Sequence, residues 1–350
     1  MAVDRFSTQL LNWYDRHARA LPWRLPPGSP GRPDPYAIWL SEIMAQQTTV
    51  AAVERYWRRF LELWPTVQAL AGADEAQVMR EWAGLGYYAR ARNLIAAARE
   101  VAARGGFPET EAELRALPGV GPYTAAAIAA IAFGERATVI DANVERVAAR
   151  CFAIREPLPG GRAQIAAALS PHVPAGRPGD FAQALMDLGA SICTPKAPRC
   201  LLCPLQAFCV GHASGSPEDY PQKAAKKARP VKQGLAWWIE RDGNVALVRR
   251  PPRGMLGGML ALPGTGWSEA EQAAYPFDAD WRTLPGHVRH IFTHFELRLS
   301  VAVAPAPVRW NRLGEEPLFW TPREALAGAG LPTLYARAVT LALELEPSPT

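Results

Sequence analysis

Two isolated acids are the residues in this sequence best suited to acid–base chemistry. Glu42 lies in Trp39-Leu-Ser-Glu-Ile-Met44, and Asp141 lies in Val139-Ile-Asp-Ala-Asn143. Apolar neighbours on both sides predict partial desolvation, which raises the pKa of a carboxyl group. Cleavage of a glycosidic bond needs two such groups, one to protonate the leaving group and one to face the cationic sugar. A helix cap at Asp141 and a solvated Glu42 are the alternative interpretations.

Four of the five cysteines crowd into one short segment. Six, two and five residues separate Cys193, Cys200, Cys203 and Cys209. Thiolates gathered in one loop bind either Zn²⁺ or an iron–sulfur cluster, and zinc ribbons usually pair two of the short gaps of which this segment has one. The spacing therefore favours a [4Fe-4S] cluster over zinc. The fifth cysteine, Cys151, stands alone among apolar residues, as is typical of a core position.

A glycine-containing turn separates two helical segments. Leu117-Pro-Gly-Val-Gly121 follows the amphipathic residues 111–117 and precedes the alanine-rich residues 123–133. Because Gly119 and Gly121 have no side chain, the backbone N–H groups at the start of the second helix can approach a phosphate oxygen. The pattern predicts a helix-hairpin-helix over about residues 111–133 that contacts a DNA backbone without reading its sequence. Ordinary helix punctuation is the alternative.

The elements that must position these residues divide the 350-residue chain into two domains. Apolar residues three and four positions apart predict an all-α domain over residues 1–212. Residues 213–233 shift to Ser, Gly, Pro and Lys, which indicates a basic linker. Short apolar runs at 235–239, 245–248, 297–303 and 318–320, with a helix at 332–345, predict an α/β domain over residues 234–350.

The composition narrows the class of protein. With 49% hydrophobic residues and 12 Trp, the chain has enough apolar surface to fold, which excludes global disorder. Its longest apolar stretch, 124–133, is far shorter than the roughly 20 residues that cross a bilayer. The charged first 21 residues lack the apolar core of a signal peptide, so we expect a cytoplasmic protein. The net charge of +5 is compatible with a polyanionic partner but is weak evidence for one.

The motifs together resemble a known family. The hairpin, an aspartate about twenty residues beyond it and the cysteine spacing resemble the endonuclease III superfamily of base-excision DNA glycosylases. Further segments resemble its adenine-excising branch, and the similarity extends over nearly the whole chain. These segments are Leu21-Pro-Trp-Arg24, Trp39-Leu-Ser-Glu-Ile-Met-Ala-Gln-Gln-Thr48, Gly84-Leu-Gly-Tyr-Tyr-Ala-Arg-Ala-Arg-Asn93 and Met186-Asp-Leu-Gly-Ala190. The resemblance implies a monomer that acts on double-stranded DNA containing adenine opposite 8-oxoguanine or guanine, with no membrane partner.

The resemblance also implies catalytic roles. Glu42 is expected to protonate N7 of an extruded adenine, and Asp141 to stabilise the cationic sugar that Asn143 helps to orient. Strand-cleaving relatives have a lysine two residues beyond the hairpin, whose amine forms a Schiff base with the sugar. This chain has Tyr123 there, so we expect a monofunctional glycosylase in which Tyr123 forms a hydrogen bond within the acid pocket. A tyrosine packed between helices is the alternative.

Other matched positions are expected to hold the DNA. Gln47 corresponds to the family's wedge at the lesion pair, and Tyr87 to the aromatic ring that stacks beside 8-oxoguanine. Ala45 stands where the family usually has leucine, and the loop over residues 25–34 is longer than usual. The positions that line the adenine pocket are Arg19, Leu21, Trp23, Arg24 and Gln183. An arginine paired with phosphate or exposed on the surface remains the alternative for Arg19 and Arg24.

The second domain resembles the Nudix-like module with which this branch recognises 8-oxoguanine. Phe292-Thr-His294 matches the family's Phe-Ser-His loop, with Thr293 in place of the usual serine. Residues 265–271 lack the acidic helix that binds Mg²⁺ in Nudix hydrolases, so pyrophosphatase activity is not expected. A DNA-damage binder without catalysis and a free-nucleotide hydrolase are the competing functions.

Overall fold

The protein is described by a computed structural model that covers residues 4–224, 228–251, 254–270, 274–314 and 316–345. Two compact units make up the chain, residues 1–225 and residues 226–350. No helix within the described ranges is long and apolar enough to cross a membrane.

The first unit is built from helices. They are α1 (Arg5–His17), α2 (Pro35–Ala45), α3 (Val50–Leu63), α4 (Val67–Ala71), α5 (Glu75–Glu81), α6 (Ala89–Arg104), α7 (Glu111–Leu114), α8 (Pro122–Ile128), α9 (Ala142–Cys151), α10 (Arg162–Leu169), α11 (Pro178–Ser191) and α12 (Val210–Ala213). A π-helical turn, Ala129–Phe133, continues α8, so the predicted hairpin has a short first helix and a longer second one.

Helix α2 runs through the core of this unit. Asp34 caps its N-terminus by accepting a hydrogen bond from the Tyr36 amide, and Pro35 occupies the first turn, where a missing N–H has no cost. Every residue from Ile38 to Met44 is buried. A helix that is buried on all sides needs apolar residues all round. Its two exceptions are therefore informative: Ser41 donates back to the Ile38 carbonyl, and the other is Glu42.

The second unit combines a mixed sheet with an α-helix. The strands are β1 (Val231–Arg241), β2 (Asn244–Arg249), β3 (Leu260–Ala261), β4 (Arg282–Thr283), β5 (Val288–Ile291), β6 (Glu296–Pro305), β7 (Arg312–Leu313), β8 (Glu316–Pro317) and β9 (Phe319–Pro322), followed by α13 (Thr333–Leu345). The main sheet has the order β3-β2-β1-β6-β4, with β5 beside β6 and β9 beside β2. Strands β1 and β6 are parallel over their whole length, and α13 packs on β5 and β6.

Ordered structure extends into the segment predicted as a linker. Strand β1 begins at Val231, inside residues 213–233, because residues 231–233 pair with residues 296–298 of β6. A 3₁₀ turn at Pro217–Asp219 follows α12, and the backbone at Leu158 pairs with Lys223. The polar, Pro-containing composition of this segment predicted a linker, because its backbone pairing depends on residues that are distant in sequence.

Candidate active site

Glu42 and Tyr123 meet inside the first unit. The Tyr123 hydroxyl donates a hydrogen bond to Glu42 Oε2 at 2.7 Å. No described residue donates to the other carboxyl oxygen, Oε1, and the Glu42 residue is only 9% exposed. Burial raises the pKa of Glu42, the Tyr123 hydrogen bond and the charge of Arg24 lower it, and the charge of Asp141 raises it. A carboxyl group in this setting keeps its proton to higher pH than an exposed glutamate, and Oε1 is free to deliver it.

Asp141 begins helix α9, with both carboxylate oxygens engaged. Oδ1 accepts a hydrogen bond from the Val144 amide at 2.7 Å, and Oδ2 accepts one from Asn143 Nδ2 at 2.9 Å. The capping alternative is therefore realised, yet the same charge also acts on Glu42 and Tyr123 through space. Because the cap holds the carboxylate at the N-terminus of α9, the backbone of that helix restricts where the carboxylate can lie.

Arg146 links this aspartate to the cysteine segment. Its Nη2 donates to Asn143 Oδ1 at 2.8 Å and to the Gly189 carbonyl at 2.7 Å, and its Nε donates to the Cys193 carbonyl at 2.7 Å. Asn143 thereby receives a hydrogen bond through its oxygen and donates through its nitrogen to Asp141. Sequence reasoning missed Arg146, although its place one turn after Asn143 on the same helix was a usable signal.

The two arginines expected in the adenine pocket converge on a buried carboxylate. Arg19 Nε lies 2.6 Å from Asp187 Oδ1, and Arg24 Nη1 lies 2.8 Å from Asp187 Oδ2. The Arg19 amide donates to the same Oδ2 at 2.9 Å. Asp187 is 1% exposed, and its role was not predicted, although it lies in the Met186–Ala190 motif. The ion pairs hold the segment before α2 against α11 and orient Arg24, whose charge acts on Glu42.

The remaining predicted pocket positions are Leu21, Trp23 and Gln183. Leu21 and Trp23 lie in the turn between α1 and α2, where the Arg24 amide donates to the Leu21 carbonyl. The Trp23 ring packs against Trp57 with the ring centroids 5.8 Å apart. Gln183 lies on α11 and is 7% exposed, and its side chain forms no hydrogen bond to any described residue. A buried amide without a protein partner is free to bond a ligand.

The predicted wedge and stacking residues are both exposed and both strained. Gln47 has φ of 58° and Tyr87 has φ of 47°, in the left-handed region that residues with side chains rarely adopt. Tyr87 is 55% exposed, which leaves much of its aromatic ring in contact with solvent. Backbone strain of this kind clusters at functional sites and persists only where surrounding contacts maintain it.

The hairpin glycines differ in what they allow. Gly119 has φ of 74°, and a Cβ there would lie 2.7 Å from Asn93 Cβ, so no other residue fits the turn. Gly121 is the N-cap of α8, and a Cβ there would meet no atom within 4 Å. The open space in front of Gly121 is compatible with the predicted approach of a phosphate group, although the first residue of α8, Pro122, has no N–H to offer.

The four clustered cysteines line one cavity together with Arg150 and His212. Arg150, which is 1% exposed, donates to Cys193 Sγ at 3.3 Å and to the Thr194 carbonyl at 2.7 Å. The His212 amide donates to Cys209 Sγ at 3.4 Å. A hydrogen bond from the buried Cys151 lowers the pKa of Cys209 to about 6. In the described part of the chain, no group of three or more His, Cys, Asp or Glu side chains is placed to hold a single metal ion.

In the second unit, Phe292, Thr293 and His294 form the turn between β5 and β6. The Phe292 amide donates to the Phe295 carbonyl at 2.9 Å, which closes the turn. The Phe292 ring lies 5.3 Å from the Trp267 ring and anchors one end. Thr293 and His294 are exposed at the tip, so their hydroxyl and imidazole groups are accessible from solvent.

Known proteins share both units. Residues 40–171 match the HhH-GPD superfamily of base excision DNA repair proteins, and residues 235–341 match a NUDIX domain. These matches confirm the predicted fold class, an all-α helix-hairpin-helix domain followed by a Nudix-like α/β domain. A solved structure of a thermostable thymine-DNA glycosylase superposes with a TM-score of 0.53 at 29% identity, over 60% of this chain and 95% of that one.

Two relatives align along most of the chain. The adenine DNA glycosylase of Homo sapiens is 36% identical over 363 residues, which cover 85% of this chain and 66% of the human protein. The chain thus spans slightly less than two thirds of that relative. The adenine DNA glycosylase of Schizosaccharomyces pombe is 30% identical over 426 residues, which cover 99% of this chain and 91% of the yeast protein. The chain therefore belongs to the adenine DNA glycosylases, a family of DNA glycosylases within the base excision repair superfamily.

Proposed function

We propose that this protein hydrolyses the bond between adenine and deoxyribose where adenine is mispaired with 8-oxoguanine or guanine in double-stranded DNA. The observation that carries the proposal is the buried Glu42, which Tyr123 holds through one carboxyl oxygen while no described residue donates to the other oxygen. We infer the specificity for adenine from the family to which the chain belongs. We infer the specificity for 8-oxoguanine from the resemblance of the second domain to a Nudix-like recognition module.

Each residue supports one step of this reaction. Glu42 donates its proton to adenine N7, so that the C1′–N9 bond breaks with its electron pair leaving on a neutral base. The Asp141 carboxylate, held by Val144 and Asn143, faces the positive charge that develops on the sugar. Water then adds to C1′ and gives up its proton to a carboxylate, which leaves an abasic site.

We infer that the strand is not cut by this enzyme. Schiff-base chemistry needs an amine beside the sugar, and the position expected to supply it is Tyr123. The sequence contains no lysine before Lys196.

The exposed Thr293 and His294 are proposed to contact 8-oxoguanine, because a hydroxyl can both donate hydrogen bonds to the edge of the oxidised base and accept them from it.

The test is incubation with duplexes that contain adenine opposite 8-oxoguanine, guanine or thymine. We expect adenine release from the first two duplexes and strand scission only after alkali treatment of the product. No abasic product at enzyme excess would contradict the proposal. Scission without alkali, or protein trapped on DNA by borohydride, would contradict the monofunctional mechanism while leaving adenine release intact.

Removal of the Tyr123 hydroxyl by Tyr123→Phe is expected to move the pH profile. Its hydrogen bond stabilises ionised Glu42 and lowers the pKa of that group, so the variant should hold its proton to higher pH. In a plot of the single-turnover rate against pH, the alkaline limb therefore moves to higher pH. The maximal rate changes by less than about tenfold, because the acid remains. Tyr36→Phe, which removes a buried hydroxyl bonded to the Trp64 carbonyl, is the control and should leave the limb in place. A downward shift for Tyr123→Phe would contradict the assignment of Glu42 as the acid.

We also propose a [4Fe-4S] cluster in the first unit, held by Cys193, Cys200, Cys203 and Cys209. The four thiols line a common cavity, and N–H donors from Arg150 and His212 reach two of the sulfur atoms. Such N–H···S contacts stabilise thiolate ligands and tune cluster potentials. When bound, the cluster supplies a covalent clip that holds the segment after α11, to which Arg146 also binds.

Substitution of one ligand tests the cluster. Cys200→Ser is expected to lose most of the broad visible absorbance and the bound iron and sulfide, because three thiolates hold the cluster less firmly. Cys151→Ala removes the fifth thiol and should keep both signals. Metal analysis of the native protein decides between the alternatives, since a colourless protein that contains zinc would contradict the iron assignment.

A further inference from the structure

Arg90 connects the two loops that carry Gln47 and Tyr87. Its Nη1 donates to the carbonyls of Ile43 and Met44 at 2.9 and 3.1 Å, just before the Gln47 loop. Its Nη2 donates to the Leu85 carbonyl at 2.7 Å, just before Tyr87. Longer contacts of 3.3 Å join the same nitrogen to the Thr48 hydroxyl and the Gly86 carbonyl.

The charge of this guanidinium is compensated in an unusual way. No carboxylate in the described part of the chain pairs with Arg90, whose Nε is buried without an acceptor. Its positive charge instead faces the last carbonyls of α2, where helix ends leave acceptors unpaired and the helix dipole is negative. The guanidinium plane also lies near two aromatic rings, 5.2 Å from the Trp82 centroid and 5.6 Å from the Tyr87 centroid.

Both loops need such support. Gln47 and Tyr87 each adopt a left-handed backbone conformation, which a residue with a side chain retains only when neighbouring contacts impose it. Arg90 binds carbonyls on the N-terminal side of both residues, and its own amide donates to the Tyr87 carbonyl at 2.8 Å. The carbonyls it caps in α2 belong to the two residues that follow Glu42.

We propose that Arg90 is a positioning residue that holds the Gln47 and Tyr87 loops as a single unit at the end of the helix that carries Glu42. Recognition of the base pair by the wedge and by the stacking ring is then coupled, because neither loop moves without breaking bonds to the same guanidinium. The coupling between the loops stands on the structure alone, whereas its use in DNA recognition rests on the proposed function.

Lysine is the informative replacement. It keeps the positive charge, but its three donors diverge from one nitrogen and do not reach acceptors on both loops as the planar fork does. Arg90→Lys therefore separates the bridging geometry from the charge. Arg99→Lys on the same helix, where the side chain is 54% exposed and lies 3.8 Å from Glu75, is the matched control.

Hydrogen exchange of the DNA-free protein is the first measurement. In Arg90→Lys, we expect amides in residues 45–49 and 84–88 to exchange about tenfold faster, with peptides from α1 and α11 unchanged. Arg99→Lys should leave both loops as in the native protein. Faster exchange in only one loop, or in neither, would overturn the proposal.

A milder variant covers the case in which Arg90→Lys loosens the whole unit. Thr48→Val removes one acceptor from the guanidinium while leaving the arginine in place. We expect faster exchange in residues 84–88, which are distant in sequence from the substitution. Thr49→Val is the control, because the Thr49 side chain forms no cap hydrogen bond. Unchanged exchange at 84–88 in Thr48→Val would overturn the coupling.

Single-turnover adenine release then tests the functional part. If the loops act as one unit, Arg90→Lys should lose about as much rate as Gln47→Ala combined with Tyr87→Ala, and adding either alanine to Arg90→Lys should cost less than about threefold more. If the added alanine instead lowers the rate of Arg90→Lys by the same factor as it lowers the rate of the native protein, the functional coupling is overturned. If the native protein releases no adenine from any duplex, the proposed function fails and hydrogen exchange alone decides the role of Arg90.

Discussion

Glu42→Gln is expected to slow adenine release by about 10²- to 10⁴-fold, because the amide keeps the shape of the side chain but has no acidic proton. DNA affinity should stay within about threefold of the native value, since contacts to phosphates provide most of the binding energy and do not involve Glu42. Single-turnover kinetics with enzyme in excess, together with a binding titration at fixed salt, separate the two effects.

Glu145→Gln is the matched control for this experiment. Glu145 is also a buried glutamate of the first unit, at 7% exposed, but its carboxylate pairs with Arg162 away from Tyr123. It should retain most of the adenine release. An equal loss of binding and release in Glu42→Gln would indicate that Glu42 supports the fold instead of supplying the proton.

Asp187→Asn is expected to destabilise the first unit strongly. The carboxylate is 1% exposed and pairs with both Arg19 and Arg24, of which Arg24 has a side chain only 6% exposed. Removal of one partner from a buried ion pair leaves an uncompensated charge and costs about 3–5 kcal/mol. The asparagine N–H group would in addition face a guanidinium donor. Urea unfolding, monitored through hydrogen exchange in peptides of α1 and α11, measures the free energy of unfolding of this unit.

Asp15→Asn provides the comparison with a solvated ion pair. Asp15 pairs with Arg177 at the surface, and its side chain is 40% exposed. Such pairs contribute less than about 1 kcal/mol because water screens both charges. Similar losses for the two variants would show that the interaction at Asp187 is no stronger than a surface pair, which would contradict its proposed structural role.

The sequence predicted those parts of the site in which local pattern and chemistry coincide. The apolar residues on both sides of Glu42 predicted its burial, and the glycine-containing turn predicted the hairpin around Gly119. Both signals are short in range, since a helix period or a turn involves only a few consecutive residues. The domain classes followed for the same reason.

What escaped prediction depends on distant partners or on the backbone. The ion pairs of Arg19 and Arg24 were not predicted, because their partner, Asp187, lies 168 and 163 residues away. Arg90 binds mainly carbonyls, which every residue has, so no residue type marks its acceptors. Strands of two residues, such as β3 and β4, are too short to show any alternation and exist only through their neighbours in the sheet.

The separation between Arg24 and Asp187 also has a consequence for how the protein is made. A ribosome releases the chain from its N-terminus, so the helix bearing Glu42 emerges long before α11. Until residue 187 leaves the exit tunnel, Arg19 and Arg24 lack the carboxylate that they bind in the folded protein. The Arg24 guanidinium, whose charge acts on Glu42, is therefore locked in place only when translation of the first unit is almost finished.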